Sequence, residues 1–418
     1  TQLLMSLGQT ETDWSSWYRV FNQRRFDYGS ASEVMFEQTL QEVAAEEPYV
    51  VAVDGTQTPR SSRKLEGSGW LRNLRTPPFK VGIHAAQRWF NGSWLMPAEG
   101  GYSRALPIRW LPAFTARSQP RVHEPKTESE AAYDFLVWLR QALTRCGRAR
   151  QQVLCVGDGA YDNAALWQRL PAGVTLLVRS ARNRVLHHLP TRPAGGRGRP
   201  CRYGPRAATP QAVWQQRRGW QKLTVDVRGR QRHLRVKVQG LVLRRGAPDC
   251  PLFLIVVRGK ANARTRRDPL PFLVNAQRAA DGSWHLPFPL TTLLFWAWQR
   301  WEIEVCHREL KSSFGLGNKQ CFNPYAAVAS VQWSAWAYAV LLLAGYRTLG
   351  LTRASTVPTR WWRGSQRWSL TTLWRTYRAA FWQTHVFHPV ISSTPPNSRE
   401  KQHLARALRN AVFAAARS

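Results

Sequence analysis

Three carboxylates sit where solvation alone is a poor explanation for them. Asp54 follows four apolar residues in YVVAVDGT, and Asp158 ends a second apolar run in QVLCVGDGAYD. A carboxylate at the end of a buried strand costs free energy unless it is paired or binds a metal. At Asp54 a turn-forming Asp-Gly pair is the plainer alternative. The third is Glu304, in WAWQRWEIEVCHRELKSSFGLG, Trp296 to Gly317. This stretch lacks proline, is long enough for about six helical turns, and meets its first glycine at Gly315, where a helix would end. Arg300, Glu304 and Lys311 are spaced by four and seven, so they share one helical face. The other late acids fit less well. Asp268 and Asp281 lie in turn dipeptides, Asp249 follows a Gly-Ala-Pro turn, and Asp226 falls in a β-type run. Glu302 and Glu309 point away from the Glu304 face. A few carboxylates that bridge two divalent ions roughly 3.5–4 Å apart are what two-metal phosphoryl transfer requires, and oxygen ligands are those Mg²⁺ prefers. Arg300 and Lys311 would then grip phosphate oxygens beside the ions.

The bulk composition points to the same substrate. The 418 residues carry 60 Lys+Arg against 25 Asp+Glu, a formal charge of +35. Such a chain repels itself unless an anion neutralises it. Nucleic acid does so with release of counterions. A membrane surface is the competing partner, because 21 Trp suit either base stacking or an interfacial belt. The uncharged stretch Cys321–Tyr346 contains YAVLLLAGY, but its apolar part is too short to span and is broken by polar residues, so a buried core helix is expected and no membrane partner. The six cysteines form no CxxC pair, which argues against zinc and for a reducing cytoplasm. The polar start, TQLLMSLGQTETDW, does not read as a signal peptide.

The elements that must position the acids follow in order. Residues 1–48 read as a helical N-terminal DNA-binding region, with Asp13 and Ser30 as caps. Residues 49–180 form the first part of an α/β core. The strand at 49–56 runs into a turn, and a basic loop begins at Arg60. A hairpin across FKVGIHAAQRWFNGSWLMPA turns at Asn91-Gly92. Then come an amphipathic helix at 127–147, the Asp158 strand, a helix and a strand at 174–179. Open α/β sheets place their sites at such strand ends. Residues 181–289 read as a β-rich insertion, opened by the Pro-, Gly- and Arg-rich run HHLPTRPAGGRGRPCRYGPR. Residues 290–318 return to the core with the Glu304 helix, and 319–418 are a basic, Trp-rich helical region. His307 could assist at the site or be a partly exposed helix-face histidine. Thr56 and Tyr161, beside the aspartates, could position DNA or a carboxylate, or simply pack a turn.

VAVDGT, GDGAYD and R-W-E-I-E-V-C-H-R-E-L-K with a following G-L-G resemble bacterial insertion-sequence DDE transposases. More narrowly, they are similar to the cut-and-paste group with a Tyr-x2-Arg-x3-Glu-x6-Lys signature. The resemblance implies a ribonuclease-H-like catalytic core interrupted by a β-rich insertion domain, with helical terminal regions. It implies two Mg²⁺ or Mn²⁺ ions held by Asp54, Asp158 and Glu304. Arg300 and Lys311 match the signature's Arg and Lys and are expected on DNA, together with His307, Arg308, Arg60 and Tyr161. The signature Tyr departs, because its position holds Ala297. Relatives hold a flipped base with an insertion-domain Trp, which here would be Trp214 or Trp220. The implied activity is cleavage of transposon ends, in this group through a hairpin, and joining of the 3′-OH ends to target DNA. The implied partners are double-stranded DNA (terminal inverted repeats and target) and a second copy of the chain, in a bacterial cytoplasm at the nucleoid. The rival readings are a metal-dependent nuclease of the same fold without strand transfer, and an inactive basic DNA-binding protein.

Overall fold

The computed structural model describes residues 11–73, 76, 80–191, 201–258, 269–353, 367–384 and 398–415. Two helices come first, α1 (Ser15–Asn22) and α2 (Tyr28–Leu40). Asp27 caps α2 by accepting from the amides of Gly29 and Ser30, so the helix starts earlier than the Ser30 cap expected from sequence. Asp13 accepts from Ser15 N but stands one residue outside the α1 cap position.

The sheet begins with β1 (Tyr49–Pro59), β2 (Gly69–Arg72), β3 (Ile83–Leu95) and β4 (Ala105–Pro112). β1 does not stop at a turn after Asp54, because it stays paired with β3 out to Pro59. Asn91-Gly92 is not a hairpin turn either. It lies within β3, opposite Asp54 and Val53 of β1 on one side and Trp110 and Arg109 of β4 on the other. The alternation of β-type residues runs through the dipeptide, and burial decides its conformation. A side chain at Gly92 would meet the Phe135 ring at 2.6 Å, so the glycine serves a close approach by the next helix.

That helix is α3 (Glu128–Arg145), started by a capping box between Thr127 and Glu130. Ala131, Phe135, Leu136, Leu139 and Leu143 form its buried face, as its periodicity predicts. β5 (Val153–Gly157), α4 (Ala164–Gln168) and β6 (Val174–Arg179) follow. β5 pairs in parallel with both β1 and β6. The strands therefore run antiparallel across β4, β3 and β1, then parallel across β1, β5 and β6.

Most of the segment after residue 181 does not build a sheet of its own. Its elements are β7 (Leu186–His188), α5 (Pro210–Gln215), β8 (Gln221–Val227), β9 (Arg230–Arg244), β10 (Ala247–Arg258) and β11 (Pro269–Asn275), with a small ladder of β12 (Gln277–Arg278) and β13 (Trp284–His285). β11 pairs with β6, and β10, β9 and β7 extend the same sheet, which reaches eleven strands. The apolar strand β11 covers the edge of β6 that would otherwise stay unpaired. The result is a mixed α/β fold with one large mixed sheet, compatible with a DDE nuclease fold. Residues 192–200 of the expected basic loop lie outside the described residues.

The helix expected over Trp296–Gly317 begins earlier, at Leu290, and is broken once. α6 (Leu290–Gln299) and α7 (Trp301–Ser313) meet at Arg300, where Ile303 N bonds to Arg300 O in a tightened turn. α8 (Pro324–Leu349) is by length and apolar content able to cross a bilayer. It packs instead on β4, α1 and α2, and 67% of its apolar window is buried, which makes it a core helix. α9 (Leu370–Trp382) and α10 (Ser398–Ala415) complete the chain. Trp361, Trp362 and Arg363 of the interleaved Trp/Arg run, and the first ten residues, lie outside the described residues.

Candidate active site

Register places the two aspartates. Val53 of β1 pairs with Gly157 of β5, the last residue of that strand. The next residue on each chain is an aspartate, so Asp54 and Asp158 stand side by side at the carboxyl edge of a parallel pair. Asp158 turns the chain by accepting from Ala160 N at 2.8 Å. Asp54 accepts from Gly55 N at 2.9 Å and is mostly buried, its side chain 18% exposed. Burial pushes the Asp54 carboxyl up to about 7, and the charges of Asp158, Glu128 and Glu304 add to the rise, while Arg300 opposes it.

α7 packs against β1 and brings the third acid. Its three glutamates have separate fates. Glu302 is buried and paired with Arg228 at 3.0 Å. Glu309 takes Arg104 at 2.6 Å and the Tyr338 hydroxyl at 2.7 Å. Glu304 is the one whose charge bears on Asp54.

The flanking cations are engaged differently from the expectation of free phosphate clamps. Arg300 is ion-paired with Glu304 at 2.6 Å, the geometry its spacing of four allows. Lys311 Nζ reaches across to β1 and donates to Thr56 Oγ1 at 2.6 Å. Arg300 also lies close enough to oppose the rise at Asp54.

Three other expected residues, His307, Tyr161 and Arg60, sit differently from expectation. His307 is not a partly exposed helix-face residue. It is 8% exposed and faces the aspartate strand, with Nδ1 3.8 Å from Asp54 Oδ2. Its partner is Asn91, directly opposite Asp54 in the β1–β3 register. Ser93 Oγ donates to Asn91 Oδ1, so Asn91 Nδ2 donates to His307 Nε2 at 3.1 Å. The ring proton then sits on Nδ1, toward Asp54. Burial, then Lys311 and Arg300, push the imidazole down to about 3, which keeps it neutral.

Tyr161 is likewise buried, and donates its hydroxyl to Glu128 Oε1 at 3.0 Å rather than facing DNA. Arg60 is 7% exposed and turned inward, where it holds the carbonyls of Gly317 and Lys319 and the Gln87 amide oxygen. It fastens the end of the Glu304 segment to the sheet, and its charge is used there. Trp214 and Trp220 are half-buried in a separate cluster, with Arg258 5.8 and 5.5 Å from their rings and Lys237 4.8 Å from Trp220. Arg308 is exposed.

Glu128 was missed by sequence reasoning. It is the first residue of α3, and its carboxylate lies over Gly55, where an added side chain would meet it at 2.3 Å. Burial holds this carboxyl above the ordinary range, helped by Asp158 and opposed by the Tyr161 hydrogen bond and Arg88. Glu128 stands in the first turn of an amphipathic helix, between the Thr127 cap and Glu130, where an acid is ordinary. The only sequence signal was Gly55 itself, a glycine inside a strand that marks close approach.

A sequence model of the DDE superfamily endonucleases matches residues 2–240, more than half of the chain. The chain belongs to this family. The match takes in Asp54 and Asp158 and ends before Glu304. No curated protein matches the chain. DDE endonucleases are metal-dependent nucleases or transposases acting on DNA, and use divalent ions. The donor set here suits such ions: hard carboxylate oxygens, one of them buried among three other acids that a cation would relieve. Among the described residues no three acid, histidine or cysteine groups are gathered closely enough to hold an ion as they stand. Glu304 is turned onto Arg300, which neutralises it.

Proposed function

We propose that the chain is a DDE transposase of the cut-and-paste type, with Asp54, Asp158 and Glu304 as its catalytic carboxylates. The observation that carries this reading is the adjacency of Asp54 and Asp158 at one sheet edge, with Glu304 coupled to Asp54 from α7. The antiparallel-then-parallel strand order supports a ribonuclease-H-like core, and the β-rich segment between β6 and α6 fits an insertion. Asp54, Asp158 and Glu304 would hold two Mg²⁺ or Mn²⁺ ions. When bound, such ions supply the Lewis acidity that activates an attacking oxygen and stabilises a leaving one.

The chain's own side chains do the rest. His307 Nδ1 faces Asp54 Oδ2 at 3.8 Å, with Asn91 fixing the ring from its far side. Arg300 pairs with Glu304 at 2.6 Å, and were that carboxylate to hold an ion, the guanidinium would be available to a phosphate. Lys311, anchored at Thr56, adds a second cation beside the scissile strand. Transposon ends and target DNA are the substrates. A hairpin intermediate, a flipped base on Trp214 or Trp220, a dimer on DNA and a bacterial cytoplasmic setting belong to the same reading. Six free cysteines agree with a reducing compartment.

The deciding assay uses a labelled duplex made from inverted repeats flanking the gene, with a free 3′-OH. With Mg²⁺ or Mn²⁺ it should be joined into a supercoiled plasmid by the wild type. Glu304→Gln should bind the duplex and join nothing. Nicking without joining would instead identify a metal-dependent nuclease, and joining by Glu304→Gln would remove Glu304 from the site.

A further inference from the structure

A basic cavity of about 560 Å³ opens beside the Asp158 loop. Arg184, Arg206, Arg244 and Arg245 line it, with His187 and Tyr203. Its position follows from the sheet. Asp162 comes four residues after Asp158, and Arg184 follows β6, whose carboxyl end lies beside that of β5. The cavity and the two aspartates therefore share one edge of the sheet.

The four arginines are not equivalent. Arg184 and Arg244 both pair with Asp162, at 2.6 and 2.8 Å. Arg244 also donates to the Asp162 carbonyl at 2.8 Å. The Asp162 side chain is fully buried and is further bonded by Ser180 Oγ and Trp167 Nε1. One saturated carboxylate thus fixes two guanidiniums in place. Arg206 and Arg245 are exposed, and among the described residues their guanidiniums have no acidic partner. The Tyr203 hydroxyl accepts from Gly246 N at 2.8 Å, which leaves its proton to donate. Four cations against one buried acid, with a spare hydroxyl donor, form a seat for an anion with several oxygens. The volume is that of a small ligand rather than a duplex, so it accepts a short length of one strand.

We propose that this cavity seats backbone phosphates of the DNA strand engaged at the Asp54–Asp158 edge. The proposal rests on the transposase reading and names the surface that receives the strand. Position favours DNA over a free small anion, because the cavity adjoins the loop that carries Asp158.

The test is equilibrium binding of a labelled duplex to the full chain in EDTA, measured against salt concentration. Arg206→Ala and Arg245→Ala are the probes, with Arg150→Ala, in the exposed turn before β5 at the opposite edge, as control. Each probe variant should flatten the slope of log K against log salt by about 0.9, and the double variant by about 1.8. The control should match the wild type. Unchanged slopes in the probe variants, or an equal loss in the control, overturn the proposal. So does a cavity that takes only small anions: inorganic phosphate would then raise the melting temperature of the wild type and not of the double variant, with identical DNA slopes. If the wild type itself binds no duplex, the transposase reading falls too. If it binds and the probe variants match it, only the cavity assignment falls. Both probe residues are exposed, so unchanged melting temperatures will separate lost binding from lost folding.

Discussion

Asp54→Asn should stabilise the metal-free protein, and more so as the pH rises. The Asp54 carboxyl is raised from 3.8 to about 7, chiefly by burial and then by Asp158, while Gly55 N already occupies one of its oxygens. The folded state therefore favours the protonated form. No penalty exists below the unfolded value, it grows between about pH 4 and pH 7, and it is complete above pH 7. Three units at about 1.4 kcal/mol each give a ceiling on the order of 4 kcal/mol at pH 8. From pH 5 to pH 8 the gap between variant and wild type should widen by about 2–3 kcal/mol. At ~2.1 cal/mol/K of unfolding entropy per residue, a chain of this length gains about 3 °C from that difference. Asparagine keeps the shape and the oxygen that Gly55 N requires, so the comparison isolates the charge. Calorimetry of both proteins in EDTA at the two pH values reads the effect. Adding Mg²⁺ at pH 8 should raise the wild type and leave Asp54→Asn nearly unmoved. A variant that is less stable than wild type at pH 8, or a gap that does not change with pH, would refute the picture of Asp54 as a buried charge among carboxylates.

Three further outcomes follow from the packing. Asn91→Asp replaces the donor to His307 Nε2 with an acceptor, which forces the ring proton to Nε2 and turns a lone pair toward Asp54; joining activity should fall at least tenfold while DNA affinity in EDTA stays within twofold, whereas unchanged activity would remove the His307–Asn91 pair from the site. Gly92→Ala drives a methyl group into the Phe135 ring at 2.6 Å and should cost about 1–3 kcal/mol in denaturant unfolding. Arg60→Ala strips the Gly317 and Lys319 carbonyls of a buried donor and should lower stability by roughly 1–3 kcal/mol without altering the salt dependence of DNA binding, which a DNA-contacting arginine would alter.

The two aspartates were legible because an apolar run that ends in a lone acid is costly in any fold, and the parallel register then sets them side by side. Glu304 was singled out by elimination, and its neighbours have long-range partners: Glu302 and Glu309 pair with Arg228 and Arg104, more than seventy residues away in sequence. Such partners leave no local trace, which also explains Arg60. Its position beside a basic loop suggested a surface cation, and only the return of the chain at residue 317 turns it inward. Asn91-Gly92 misled for a related reason. The dipeptide favours a turn locally, but Phe135 and His307 approach it from elements that periodicity cannot place. The segment after 181 was read as β-rich, and it is; that its strands join the core sheet depends on which edge β11 finds, a pairing that no single stretch encodes.

Three ties fasten the Glu304 helix to chain made long before it: Lys311 to Thr56, Glu309 to Arg104, and Glu302 to Arg228. The consequence concerns time. Asp54 and Asp158 leave the ribosome early, but the third acid lies about 250 residues beyond the first. At roughly 5–20 residues per second, that delay is on the order of ten to fifty seconds. Throughout it, the nascent chain holds two strand-end aspartates and most of its basic surface, but not the full set of acids. Under the proposed function, a half-made copy would meet DNA before its three acids are together, and cutting would wait for the Glu304 helix.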